Sequence, residues 1–90
     1  MTTPLHEAAL TAARDCLGVK KHETVLIVTD APRRQIGLAL YEVCRDLAAE
    51  TLLMEMQPRR VNGEEPPPAI TEAMKSVDVV ICPTSTSLTH

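Results

Sequence analysis

The chain has no phenylalanine and no tryptophan, and Tyr41 is its single aromatic residue. Any core must be assembled from Leu, Val, Ile, Ala and Met, and the stacking platforms that single-stranded nucleic acid needs are missing. Positive charge is scarce as well: the formal net charge is −3, and Arg33-Arg34 and Arg59-Arg60 are the only basic doublets of arginine. A doublet reads as solvated loop or helix-start charge rather than a phosphate site, because clustering makes an electrostatic footprint. No nucleic-acid partner is expected. No apolar stretch approaches the roughly 18–20 residues of a membrane span, so no membrane partner is expected either. Cys16, Cys44 and Cys82 are odd in number and widely spaced, without a Cys-x-x-Cys or a signal-peptide pattern. That excludes a disulfide framework or zinc knuckle and points to the cytoplasm.

What is present is ordinary for a globular domain: hydrophobic residues make up 44% and charged residues 23% of 90. A chain this short buries only roughly 60–65% of its unfolded surface, so the core margin is thin. Thr3-Pro4 reads as an N-cap and first helical position, and Leu5, Ala9, Ala12 and Cys16 repeat at helical spacing until Gly18. A first helix is predicted over 4–17. The run Thr24-Val25-Leu26-Ile27-Val28-Thr29 is β-branched and apolar without alternation, as a strand covered on both faces should be. Pro32 opens a second helix with Ile36, Leu40, Val43 and Leu47 as its buried stripe, ending near Ala48. Leu38 falls off that stripe and reads as a singly exposed leucine, with contact to missing protein as the sharper alternative.

A second strand, Thr51 to Met56, carries Glu55, which suggests a sheet edge. The turn-rich stretch 59–68, with Asn62-Gly63 and Pro66-Pro67-Pro68, then leads into a short helix of Ala69, Ile70, Ala73, Met74 and Val77. Strand three is predicted from Asp78 to Cys82. The order α-β-α-β-α-β argues for a parallel sheet. Strands one and three are the apolar ones, which makes them neighbours and gives the order 2-1-3. The expectation is one partial α/β domain over 1–90: three-layered, Rossmann-like, with a three-stranded parallel sheet flanked by helices.

That order puts the reversal of winding between strands one and three, where ligands bind in open α/β sheets. The crevice is predicted to be lined by Thr29 and Asp30 on one side and by Thr84, Ser85, Thr86 and Ser87 on the other. Strand one is followed by Thr-Asp-Ala-Pro-Arg-Arg-Gln-Ile-Gly, so both the dinucleotide fingerprint and the Walker loop fail. Asp30 invites comparison with a metal or phospho-acceptor carboxylate, but an acid beside a helix start is more often an N-terminal cap. A triad of Ser85 or Ser87, His90 and Asp30 is disfavoured, since a chain-terminal histidine is a poorly held base. His6, His22 and His90 lie in separate elements, and Glu64-Glu65 reads as solvated charge, so no metal site emerges. Cys82 and Cys44 read as small core residues.

Three segments, "CLGVKKHETVLIVTD" (16–30), "IGLALYE" (36–42) and "NGEEPPPAITEAMKSVDVVICPTSTSLTH" (62–90), resemble the amino-terminal portion of the thermophilic metallo-aminopeptidase family, leucyl-type exopeptidases with a ring-cleaving branch. The resemblance spans the chain but only about the first quarter of a family member. It implies metal-assisted hydrolysis of peptide substrates by the full-length parent, with divalent zinc, cobalt or magnesium polarising the carbonyl and activating water. It also implies that the Glu, His, Asp and Tyr metal ligands lie in a later domain. No catalytic or metal residue is therefore assigned in this chain, no cofactor is expected to be bound by it, and alone it is expected to be inactive. A lysine often stands in the family where this chain has Thr86. The alternative reading is a free-standing α/β ligand-binding or interaction module. An open edge on strand three leads us to expect a homo-oligomer, a dimer being the simplest.

Overall fold

A computed structural model describes residues 3–60 and 65–85. Helix α1 (Pro4–Leu10) starts at Thr3, whose side chain accepts from the His6 N–H at 3.1 Å, as the Thr-Pro signature predicts. It continues without a break as a π-helical stretch, Thr11–Cys16, in which Leu17 N–H reaches Ala12 O at 2.9 Å. The predicted span holds, but the wider winding is rare and periodicity alone does not announce it. Gly18 then reverses the chain with φ +64, the left-handed conformation that glycine adopts most readily.

Strand β1 (Thr24–Asp30) is buried from Val25 onward. A single 3₁₀ turn, Ala31–Arg33, leads into α2 (Arg34–Leu47), followed by β2 (Glu50–Met56), α3 (Pro68–Lys75) and β3 (Val79–Ile81). The sheet is parallel throughout, in the order β2-β1-β3. Leu26 lies between Leu52 and Val80 in register, and Thr29 lies opposite Glu55. At the amino ends, Thr24 N–H donates to Asp78 Oδ2 at 2.8 Å and Asp78 N–H returns to Thr24 O at 3.0 Å.

Alternation along β1 sorts its side chains into two layers. Val25 and Ile27 join Ala9, Ala13, Leu40, Val43 and Cys44 beneath α1 and α2. Leu26 and Val28 join Met56 and Ile70 beneath α3. The predicted stripe of α2 faces the first layer, Leu40 and Val43 deeply and Ile36 and Leu47 at its margin. The α3 layer is thinner, and Leu52 and Val80 remain exposed on its flanks.

Two expectations need correction at β3. The strand spans Val79–Ile81 rather than Asp78 to Cys82, and Cys82 is exposed rather than core. Its ladder with β1 ends at Ile81, so Cys82 lies past the last paired residue. Desolvation by burial still holds the Cys82 and Cys44 thiols above the usual cysteine pKa. We expect a thiol reagent at neutral pH to modify Cys16 and Cys82 in the folded chain and to reach buried Cys44 only on unfolding. Equal labelling of all three, followed by peptide mass mapping, would contradict this packing.

Candidate functional site

The carboxyl ends of β1 and β3 meet where the winding reverses. Thr29 and Asp30 are both fully buried there. Because they are successive, their side chains leave opposite faces of the sheet. On the α2 side, Thr29 Oγ1 stands 3.0 Å from Pro83 O and 3.1 Å from Arg33 O. Its single proton can serve one carbonyl at a time. On the other side, Asp30 Oδ2 accepts from Ser85 N–H at 2.9 Å and from Ser85 Oγ–H at 2.7 Å. Two adjacent residues of the central strand thus hold the segment that leaves β3.

Asp30 does not cap the following helix. Its backbone occupies the cap position, but its side chain makes no bond to the turn. Pro32, at the second position of that turn, has no N–H to offer, whereas Ser85 brings two donors to one oxygen. The other oxygen, Oδ1, is buried and has no hydrogen-bond partner among the described residues. An orphaned buried acceptor costs roughly 1–3 kcal/mol, and more if charged.

Of the predicted crevice residues, the structure brings together Thr29, Asp30 and Ser85. In the segment that leaves β3, residues 83–85, which forms a strap across the end of β1, the Thr84 N–H donates to Cys82 O at 2.9 Å. Thr86, Ser87 and the disfavoured triad member His90 lie outside the described residues. Two features at this end were not anticipated. Arg34 forms a forked ion pair with Glu55, Nε to Oε1 at 2.6 Å and Nη2 to Oε2 at 2.7 Å. Glu55 at the sheet edge and Arg34 in the first turn of a helix were legible singly, but not as partners. Gly37 packs against Thr29, and a lone glycine inside an amphipathic helix is the signal that could have found it.

The hydrogen bonds from Arg34, aided by its charge, hold the Glu55 carboxyl below the usual glutamate pKa, while desolvation and the negative charge of Asp30 oppose the shift. A depressed folded-state value means that the pair's stabilisation is present above the unfolded glutamate pKa and is lost as pH falls through the folded one. Urea melts of Glu55→Gln against the parent should show a small gap at neutral pH that closes in that acidic window. A gap unchanged by acid would exclude the charged pair as its source.

Elsewhere, α1 and α2 leave an open groove of about 380 Å³ bordered by Leu5, His6, Leu38 and Glu42. It shares no lining residue with the Asp30 site. Among the described residues, no three His, Cys, Asp or Glu side chains group to hold a metal ion, and no helix is long and apolar enough to cross a membrane. No family model, no curated protein and no solved structure matches this chain.

Proposed function

We propose that this chain is the amino-terminal α/β domain of a metal-dependent leucyl-type aminopeptidase, supplying scaffold and cleft wall to a parent that removes amino-terminal residues from peptides. The observation that carries the reading is the tie between β1 and the tail: Asp30 and Thr29 hold residues 83–85, part of the segment that resembles the family, against the switch point. The divalent metal, zinc, cobalt or magnesium, belongs in this reading to residues of a later domain. This chain's contribution is positional, and no catalytic step is assigned to it. Its three free cysteines favour a cytoplasmic protein. The open outer side of β3 favours a homo-oligomer, to be tested by sedimentation at several concentrations.

The test compares the 90-residue chain with the product of the reading frame that encodes it, each assayed for leucine release from a leucyl chromogenic amide with cobalt or zinc. The longer product should turn over and the 90 residues should not. Metal-dependent turnover by the 90 residues overturns the reading, as does a stop codon directly after His90. In the latter case the second reading, a free-standing ligand-binding module, takes over. It is favoured by the buried Asp30 carboxylate, whose unpartnered oxygen lies at the expected ligand position.

A further inference from the structure

We propose that the Asp30 carboxylate is a recognition point for a ligand guanidinium, whose place Ser85 takes in the unliganded chain. Asp30 is fully buried at the end of the central strand, and both donors of Ser85 converge on Oδ2 while Oδ1 receives none from the described residues. Ser85 spends both of its donors on the one oxygen. A planar guanidinium can satisfy both oxygens, because its two parallel N–H groups match the spacing of a carboxylate.

Charge points the same way. The arginine four residues on, Arg34, is committed through two nitrogens to Glu55, and among the described residues no cation pairs with Asp30. Among the described residues, the carboxyl thus has hydrogen bonds from Ser85 and no ion-pair partner. The site is also openable: residues 83–85 lie past the end of β3, Ser85 is exposed, and the strap is held to β1 through Asp30 and through Thr29 Oγ1 to Pro83 O. A fork that engages both carboxylate oxygens displaces Ser85 and swings the strap outward. This inference stands on the geometry of Asp30 and Ser85 and does not depend on the peptidase reading.

The experiment is an amide NMR titration of the 90-residue chain with methylguanidinium at millimolar, non-denaturing concentrations. Methylammonium and tetramethylammonium serve as parallel probes. Saturable shifts of the Asp30 and Ser85 amides are expected with methylguanidinium, weaker ones with methylammonium, and none with tetramethylammonium, which has no N–H. Asp30→Asn, near-isosteric but uncharged, should weaken binding roughly tenfold, and Ser85→Ala, which removes a competing donor, should tighten it about threefold. Equal responses of the parent and Asp30→Asn, equal responses to all three cations, or a silent Ser85→Ala chain would each overturn the proposal. If Asp30→Asn fails to fold, the Ser85→Ala chain and the three-cation comparison decide the matter.

Discussion

Leu26→Ala is expected to lower the melting temperature by about 8–40 °C, from a loss of ~2–5 kcal/mol for a buried leucine and roughly 4–8 °C per kcal/mol in a domain of this size. Leu26 is 0% exposed at the centre of the sheet. Its side chain meets Val28, Met56 and Ile70 under α3, a helix of only eight residues. Beside it in register is Leu52, the same residue type on the same sheet face but 42% exposed. Leu52→Ala should therefore cost under about 1 kcal/mol, since much of its apolar area is already in water. Thermal melts of the two variants isolate burial from chemistry. Equal losses would mean that the α3 layer is not the one described. A total stability of roughly 5–13 kcal/mol, scaled to 90 residues, leaves Leu26→Ala close to the limit of folding at 37 °C.

The same pair of leucines marks how far the sequence could be read. The unbroken apolar run of β1 carries the information that it is central, and the glutamate in β2 that it is an edge, so the order 2-1-3 follows from composition alone. Burial of individual outer residues does not follow. Leu52 and Val80 are as apolar as Leu26, and only the short reach of α3 leaves them uncovered. Cys82 has the same origin: its hydrophobic context extends one residue further than the ladder that would have covered it.

At the site, the topological rule locates Thr29, Asp30 and Ser85 together, but local reasoning about Asp30 fails. Caps are judged from the residues that follow an acid, and here the decisive donor is 55 positions away. A contact between elements distant in the chain leaves no periodic trace in the sequence. The Arg34–Glu55 fork, 21 positions apart, is hidden for the same reason.

Gly37→Ala is expected to destabilise the chain, against the helix-propensity trend. In an exposed helix interior the change gains up to about 1 kcal/mol. Here the new Cβ would stand 2.8 Å from Thr29 Cβ, 2.9 Å from Oγ1 and 3.0 Å from Cγ2. None of these is the far end of a flexible chain. Thr29 is β-branched, fully buried, and within hydrogen-bonding distance of Pro83 O and Arg33 O, so it has no free rotamer to retreat into. Either α2 lifts from the sheet or β1 shifts under it. Overpacking of this kind costs about 1–3 kcal/mol, which outweighs the propensity gain over most of its range and leaves a net loss of up to about 2 kcal/mol. Thr29→Ala removes two of the three contacts but keeps the one at Cβ. In a double-mutant cycle, Gly37→Ala should therefore cost less on the Thr29→Ala background than on the parent, without becoming neutral. Because Thr29 also holds Pro83, amide exchange at residues 84 and 85 should quicken in Gly37→Ala before the rest of the sheet loosens. A melting temperature at or above that of the parent would mean that α2 and β1 do not approach this closely, and that the strap at the end of β1 is held without the help of the helix.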